Sequence, residues 1–407
     1  MAMRDVNFAV DVASGVAGDT PRICALVIDP SNYSLPYDQC LCDALWNQGC
    51  DVSLVRSKDI YDTNAGEECF PVRKDFYPHT HARAKEQSRG RFWKLKKAGE
   101  HVLCMRRLAA EIAESKPDIV HFQWLPVPLL DRMFLSRLRR TAALVMTLHN
   151  TSLFHGEEAY RLQGIGLRSA AKLFDAVIVH TEYSRRNAIE QWQIDEQKIH
   201  VVPHGILHSP RGNESGVRPP AGDEQVLLYF GNLKHYKGVD VLIRAFSMLP
   251  PETRKATRLC IAGYPSMDVE PLRALAHQLR IEDRIDWDLR FIPQNEIAAL
   301  FRSATAVVLP YREIDQSGVL LTAIALEKPV VASRVGGVAE TIQDGVHGLL
   351  TPPGEPAPLA DAIRSILADT KLRLSMETAL RTLRGELSWD NIAQRTLSIY
   401  STLASTR

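Results

Sequence analysis

The chain has 407 residues, more than one hydrophobic core usually serves, and its 45% hydrophobic and 24% charged residues are typical of soluble globular proteins. Its 49 Lys plus Arg and 48 Asp plus Glu give a net charge of +1, which excludes an overall positive field for binding nucleic acid or anionic membranes. No apolar run approaches the ~20 residues that cross a bilayer, and the N-terminal residues lack an apolar signal-peptide core. We therefore expect two globular domains and a cytoplasmic location.

Short β-branched runs alternate with helix-like segments over residues 21–205, after an extension at 1–20 that is expected to be flexible. The predicted strands are RICALVI, DVSLV, DIVHF, ALVMTL, AVIVHT and IHVV. This alternation is typical of βαβ units, whose strands are parallel. It predicts one open sheet of about six strands.

The alternation restarts after a polar segment rich in Pro and Gly at 206–225, which is predicted to link two domains. The strands predicted for a second α/β domain at 226–387 are VLLYF, RLCIA, RIDWDL, TAVVL and PVVA. DWD at 286–288 has the spacing of a metal-binding motif, but it lies within a predicted strand. We expect no metal there.

One segment, 73–107, departs from the overall neutrality. It contains 11 Lys or Arg against three acids, with Phe76, Tyr77, Phe92 and Trp93 among them. A solvated helix and loop is one interpretation. A surface for anionic lipid headgroups or a diphosphate-linked acceptor is another, since each Lys or Arg near such a surface contributes about 1 kcal/mol. No basic face extends the segment, so no nucleic-acid partner is expected.

Two loops in the second half have the features of phosphate sites, FGNLKHYKGVD and LPYREIDQSG. Each follows a predicted strand and precedes a helix, whose N-terminus favours a bound anion. Lys234 and Lys237 add positive charge to the first loop, and Ser317 and Gly318 offer backbone N–H groups in the second. Together the loops predict a diphosphate site.

Polar residues also end two strands of the first half. His121 and Gln123 end one strand, and His149 and Asn150 end the next. Open α/β sheets bind ligands at the carboxyl ends of their strands, although a polar group there can also simply be satisfied by its neighbours. These residues are candidates for the reacting centre and the acceptor.

The ordered motifs resemble the retaining GT-B glycosyltransferases of family 4 (glycosyl transferases group 1), in a branch that makes bacterial surface polysaccharides. The motifs are DIVHFQW, TLHN, VPHGI, FGNLKHYKGVDVLIRAF, LCIAGYP, VVLPY, KPVVASRVGGVAETIQDGVHGLLTPPGE and LSWDNIAQRTLSIYSTL. The resemblance implies an α/β fold of two Rossmann-like domains whose parallel sheets face each other across a cleft. The N-terminal domain would bind the acceptor and the C-terminal domain the nucleotide sugar. A final helix over 388–407 would pack back on the N-terminal domain.

The resemblance also implies site residues, with a nucleotide diphosphate sugar as co-substrate and neither a cofactor nor a metal required. Lys237 matches the lysine on the donor diphosphate, and Lys234 is expected to replace an arginine at the position of Asn232. The residues expected on the donor are Gly231, Asn232, Lys234, Lys237, His204, Gly205, Glu313, Ser317, Gly318 and Thr322. Those expected at the reacting centre are Lys237, Lys234, Asp315, Gln123 and His121. Those expected on the acceptor are His149, Asn150 and Tyr37.

Two glutamates that the family places on the donor sugar and its ribose are missing, and Ile314 and Thr322 stand in their positions. Thr322 is then expected on the ribose. Asp315 is expected to select the sugar in preference to Glu313, because it directly precedes the turn at Gln316.

These features predict an enzyme that transfers a hexose, with retention, from a GDP- or UDP-sugar to a glycan or lipid-linked acceptor in bacterial polysaccharide or glycoconjugate synthesis. The missing glutamates leave open an inactive donor-binding partner protein of the same fold. A nucleotide-sugar epimerase of the same architecture is a further alternative. The expected location is cytoplasmic, with peripheral contact to the inner face of the membrane through 73–107 as one interpretation of the basic segment.

Overall fold

The residues described by this computed structural model are 22–58, 68–80, 91–151, 166–207 and 224–407. The predicted extension at 1–20, the part of the basic segment at 81–90 and most of the predicted linker at 206–225 lie outside the described residues. Within the described ranges the chain forms two parallel sheets, and each sheet is covered by helices.

The N-terminal sheet has the strand order β3-β2-β1-β4-β5-β6-β7. Its described strands are β1 (Cys24–Asp29), β2 (Asp51–Ser57), β3 (Val72–Phe76), β4 (Ile119–Phe122), β5 (Ala143–Thr147), β6 (Ala176–Val179) and β7 (Ile199–Val201). All neighbouring pairs are parallel, as predicted. The sequence pattern missed β3 because this edge strand, VRKDF, is largely polar and only its last residue is buried.

The helices around this sheet are α1 (Leu35–Asn47), α2 (Arg91–Ser115), α3 (Pro128–Leu138) and α4 (Glu182–Glu190). Gly49 follows α1 with a φ of 86°, and its N–H donates to the carbonyl of Trp46. Glycine adopts this left-handed conformation at little cost, so it is well suited to end the helix.

The C-terminal sheet has the order β10-β9-β8-β11-β12-β13, and its described pairs are again parallel. Its strands are β8 (Gln225–Phe230), β9 (Thr257–Ala262), β10 (Ile285–Asp288), β11 (Ala306–Leu309), β12 (Val330–Ser333) and β13 (Gly348–Thr351). The sequence pattern did not predict β13. In β10, Asp286 and Asp288 form ion pairs with Arg258 and Arg290.

The helices of the C-terminal part are α5 (Val239–Ser247), α6 (Pro251–Lys255), α7 (Glu270–Gln278), α8 (Gln294–Ser303), α9 (Gly318–Ala325), α10 (Gly336–Thr341), α11 (Pro356–Ala368), α12 (Thr370–Glu386) and α13 (Trp389–Ser405). α5 is the helix predicted after Lys237, and its apolar side chains Leu242, Ala245 and Phe246 are buried in the core. No helix in the described part of the chain is long and apolar enough to cross a membrane.

The last helix, α13, packs on the first domain. Ile392, Ala393 and Tyr400 are buried in one hydrophobic cluster with Leu41 of α1. The hydroxyl of Tyr400 lies 2.6 Å from Nδ1 of His121 in β4. The chain therefore returns to the N-terminal sheet after completing the C-terminal one.

Candidate active site

The strand order reverses once in each sheet, between β1 and β4 and between β8 and β11. Loops that leave adjacent strands at such a point run in opposite directions and open a crevice at the carboxyl edge of the sheet. In the C-terminal domain, the two loops at this position are the two predicted phosphate loops.

The loop after β8 is shaped by glycine. Gly238 has a φ of 67° and leads directly into α5. A Cβ atom at this position would lie 2.0 Å from the carbonyl oxygen of Pro310, at the end of β11. The N–H of Arg312 donates to the carbonyl of Tyr236 at 2.7 Å. The two phosphate loops are therefore held against each other by backbone contacts.

Lys237 is the partly buried cation of this site. Its Nζ would lie 3.1 Å from a Cβ on Gly231, so the ammonium group rests beside bare backbone. Burial and the neighbouring charge of Lys234 lower the pKa of Lys237 to about 8. A buried ammonium beside a second one gains strongly from a bound anion, which supplies the opposite charge. The arrangement suits a phosphate group.

A cavity of about 330 Å³ adjoins the same loop. Gly231, Asn232 and Thr322 line it, together with the exposed aromatic rings of Tyr264 and Phe291. The Thr322 hydroxyl donates to the carbonyl of Gly318 at 2.9 Å, so its oxygen can still accept a hydrogen bond from a ligand. The structure thus brings three predicted donor residues to one cavity of nucleoside size.

The polar residues of the loop after β11 do not all lie at the same site. Ser317 caps α9, because its hydroxyl accepts from the N–H of Leu320 at 3.2 Å, and Gly318 is the exposed first residue of that helix. Glu313 is exposed beside a second cavity of about 850 Å³. Asp315 is only 2% exposed, and its Oδ2 accepts from the Thr151 N–H at 2.6 Å. A role of Asp315 at the donor sugar stays a prediction.

Two histidines and Gln123 form a hydrogen-bonded chain in the N-terminal domain, and a third histidine packs beside it. His180 Nδ1 lies 3.0 Å from the carbonyl oxygen of Val202, and His180 Nε2 lies 3.1 Å from His149 Nδ1. His149 Nε2 lies 3.0 Å from the terminal amide of Gln123. His204 packs against both histidine rings. Burial lowers the pKa of His180 to about 3 and that of His204 to about 4, and it lowers the pKa of His149 as well.

The direction of the Gln123 amide follows from counting protons along this chain. A neutral His180 donates from Nδ1 to the carbonyl of Val202, so its Nε2 accepts. His149 then donates from Nδ1, and its Nε2 accepts in turn. Gln123 must therefore point its NH₂ group at His149. As placed, the amide oxygen of Gln123 faces His149, and its Nε2 is the end buried without a hydrogen-bond partner among the described residues. The proton count favours the flipped amide, in which that buried end is the oxygen.

The remaining predicted residues of this domain fall into two groups. Tyr37 packs edge-on against His149, His204 and Trp389 at ring distances of 4.8, 4.9 and 5.0 Å. A Cβ on Gly205 would lie 2.6 Å from the Trp389 ring, so glycine is needed for this approach. His121 lies behind the group, with Nδ1 on Tyr400 and Nε2 2.8 Å from the Thr147 hydroxyl. Both ring nitrogens of His121 are thus engaged by Tyr400 and Thr147, although His121 is near enough to His149 to help lower its pKa.

Comparison with known proteins agrees with this architecture. A model described as "Glycosyltransferase Family 4" matches residues 39–208, and one described as "Glycosyl transferases group 1" matches 211–382. The D-inositol 3-phosphate glycosyltransferase of Kineococcus radiotolerans is 30% identical over 331 residues, which are 73% of this chain and 74% of the relative. The chain belongs to the group 1 glycosyltransferases.

Solved structures share the fold of this glycosyltransferase. Sucrose-phosphate synthase from Thermosynechococcus elongatus has a TM-score of 0.69 at 20% identity, covering 95% of this chain and all of that protein. Anabaena HepE in complex with UDP and glucose has a TM-score of 0.68 at 20% identity, covering 94% of this chain and 100% of its own. The predicted family and the GT-B fold of two Rossmann-like domains are confirmed.

Two carboxylates join the domains of this glycosyltransferase. Besides the bond from Asp315 to Thr151, Glu340 accepts from the N–H groups of Glu182 and Tyr183, both at 2.7 Å. These N–H groups begin α4, where the helix dipole favours a negative charge. The motif VGGVAET contains Glu340, but sequence analysis gave it no role, since nothing local shows that its partner is 158 residues away.

We expect the binding of nucleoside diphosphate to this glycosyltransferase to weaken as pH rises through 8. Lys237 loses its proton in that range, and a bound diphosphate favours the charged form, so binding takes up a proton. The Kd for UDP should rise about tenfold between pH 7 and 9, as measured by calorimetry. Lys237→Arg should remove this dependence because arginine stays charged. A pH-independent Kd in the wild type would contradict the placement of Lys237.

Proposed function

We propose that this glycosyltransferase transfers a hexose, with retention and without a metal, from a UDP- or GDP-sugar to a glycan or lipid-linked acceptor. The observation that carries the proposal is the partly buried Lys237 ammonium beside Gly231, a residue that also lines the cavity of about 330 Å³. HepE, whose structure contains UDP and glucose, supports a UDP-sugar as the first donor to test. The acceptor would bind to the N-terminal domain.

In the proposed reaction, the bond between the sugar C1 and the diphosphate oxygen breaks while C1 bonds to the acceptor oxygen on the same face. The acceptor proton passes to the departing phosphate oxygen, so no side-chain base is required. Lys237, Lys234 and the N–H groups of Ser317 and Gly318 stabilise the charge that develops on the leaving group. Fixed donors of this kind each contribute on the order of 3 kcal/mol in comparable sites.

A donor panel tests this function and separates it from the alternatives. Thermal stabilisation by UDP-, GDP- and dTDP-hexoses identifies the nucleotide, since a ligand at 100 times its Kd adds about 2.7 kcal/mol. Transfer to a glycan acceptor supports the proposal. Conversion of the donor sugar without acceptor would indicate an epimerase. Binding with neither transfer nor hydrolysis would indicate an inactive donor-binding protein.

We propose that Asp315 selects the donor sugar, and we expect Asp315→Asn to lower kcat at least about tenfold. Its position directly before the α9 cap supports this, but its carboxylate also holds Thr151 through the backbone N–H and the hydroxyl. Thr151→Val removes only the second of these bonds and separates the two roles. Equal losses of kcat in both variants would assign Asp315 to the domain junction alone, and a larger loss in Glu313→Gln would transfer sugar selection to Glu313.

We also propose that the basic segment contacts an anionic membrane. Helices α2 and α3 pack against each other and leave apolar side chains on the surface. The exposed fractions are 83% for Phe92, 71% for Leu95, 58% for Leu129 and 72% for Met133. Exposed Lys96, Arg106, Arg107 and Arg132 accompany them. Apolar side chains beside cations favour the lipid interface, where both groups find partners.

We expect Phe92→Ser combined with Met133→Ser to lower the binding of the protein to phosphatidylglycerol vesicles at least about fivefold, because each substitution removes an inserted apolar side chain. The measurement is co-sedimentation at two salt concentrations. Leu374→Ser is the matched control, since Leu374 is 56% exposed on α12 of the C-terminal domain. Equal binding of the double variant and the control would contradict membrane contact and support a solvated surface.

A further inference from the structure

Two aromatic side chains lie at the point where the strand order of the N-terminal sheet reverses. Tyr33 is four residues beyond the end of β1, and Trp124 is two residues beyond the end of β4. β1 and β4 are adjacent parallel strands. Ligands of open α/β sheets bind outside the carboxyl ends of the strands at this reversal. Neither side chain is among the residues that the family resemblance implies.

The two rings form a stacked pair. Their centroids are 4.5 Å apart and their planes differ by 15°. Trp124 covers one face of Tyr33, and 50% of Tyr33 is still exposed. The side-chain NH₂ of Asn150 donates to the Tyr33 hydroxyl at 2.9 Å. The pair therefore presents a flat apolar face with a polar amide at its edge.

The loop that carries Tyr33 is held in place. The carboxylate of Asp29 accepts from the N–H groups of Ser31 and Ser34, at 3.1 and 2.9 Å. Asn32, with a φ of 53°, exchanges two hydrogen bonds with the backbone of Ser57 at the end of β2. Because this loop is already ordered, Tyr33 loses little conformational entropy when a ligand binds to its ring.

The stacked pair faces the donor side of the cleft. Burial raises the pKa of Tyr236, and the nearby Glu313 and Tyr33 raise it further. Tyr236 directly precedes Lys237, so Tyr33 is near enough to the diphosphate loop for its charge to influence Tyr236. On its own side, Trp124 follows Gln123, and the end of the Gln123 amide that faces away from His149 is buried without a hydrogen-bond partner among the described residues. A ligand on the stacked pair therefore lies between the acceptor domain and the leaving group.

The chemistry of this surface selects a class of ligand. A pyranose ring has one face of C–H groups and an edge of hydroxyls, and C–H groups pack well on the electron-rich face of an aromatic ring. The amides of Asn150 and Gln123 suit the hydroxyl edge. A phosphate would require cations here, as at the loop of Lys237. We propose that Tyr33 and Trp124 form the acceptor subsite for a neutral pyranose ring, an inference that rests on the proposed function.

The test is saturation-transfer NMR with methyl glucoside, galactoside and mannoside, measured on the full chain with UDP present. We expect at least one glycoside to bind the wild type and Tyr33→Phe alike. Tyr33→Ala and Trp124→Leu should each weaken this binding about tenfold, because each removes an aromatic face or its support. The melting temperature in the presence of UDP serves as the control for folding and donor binding.

Three results would overturn the proposal: no glycoside binds the wild type, Tyr33→Ala binds as tightly as the wild type, or myo-inositol 1-phosphate binds more tightly than every glycoside and also depends on Tyr33. A UDP-dependent rise in melting temperature together with any of these would leave the donor half of the proposed function intact. Glycoside binding without any stabilisation by nucleoside diphosphates would instead contradict the proposed function and still support the sugar subsite.

Discussion

Replacing Lys237 by alanine is expected to lower kcat/KM about a hundredfold or more while the protein remains folded. The ammonium group is partly buried beside Gly231, its pKa is lowered to about 8, and Lys234 is the neighbour whose charge contributes to that fall. Removing a preorganised charge from the leaving group costs on the order of 3 kcal/mol of barrier stabilisation, which is about a hundredfold in rate.

Two control variants test whether the loss of kcat/KM is specific to Lys237. Lys234→Ala should be milder, because Lys234 influences the site mainly through its charge on Lys237. Lys255→Ala removes an ammonium that is 67% exposed at the end of α6 and should leave kcat/KM unchanged. If Lys237→Ala keeps more than about a tenth of the wild-type kcat/KM, Lys237 does not stabilise the leaving group.

Gly238→Ala is expected to abolish nucleotide binding and to destabilise the C-terminal domain by at least about 3 kcal/mol. Two costs combine at this position. Alanine is disfavoured at a φ of 67° by about 1 kcal/mol, and its Cβ would lie 2.0 Å from the Pro310 carbonyl oxygen. Backbone must then move, and this backbone is what holds the two phosphate loops together.

Gly345→Ala separates the two costs. Gly345 has a similar φ of 76°, but a Cβ there would meet nothing within 4 Å. This variant should lose only about 1 kcal/mol of unfolding free energy and bind UDP normally. Chemical denaturation and UDP titration of both variants make the comparison. Similar behaviour of the two would show that the contact with Pro310 is unimportant.

The strands and the phosphate loop were accessible from the sequence because their signals are local. β-branched runs, helix periodicity and the glycines at 49 and 238 act within a few residues of chain. The polar edge strand β3 was not predicted, since only its last residue is buried and its residues carry no apolar pattern. β13 was also missed, as a four-residue strand in a glycine-rich segment.

The family resemblance predicted a donor-binding and an acceptor-binding domain, but it did not reveal which side chains of distant segments are hydrogen-bonded to each other. Asp315 was expected at the sugar, and only the packing of the two domains showed that its carboxylate holds Thr151. Glu340 likewise finds its partners at the start of α4. No local sequence pattern identifies the partner of a carboxylate when the partner lies in another domain. The contact depends on how the two domains dock.

The local sequence by itself therefore determined two parallel α/β domains and the lysine loop with its glycine, since backbone preference and hydrophobic periodicity are properties of neighbouring residues. The tertiary structure alone decided that Tyr33 stacks on Trp124 and that the Gln123 amide meets His149. Both depend on contacts between residues that come from different strands. Such contacts arise only when the sheet brings its carboxyl ends to one edge.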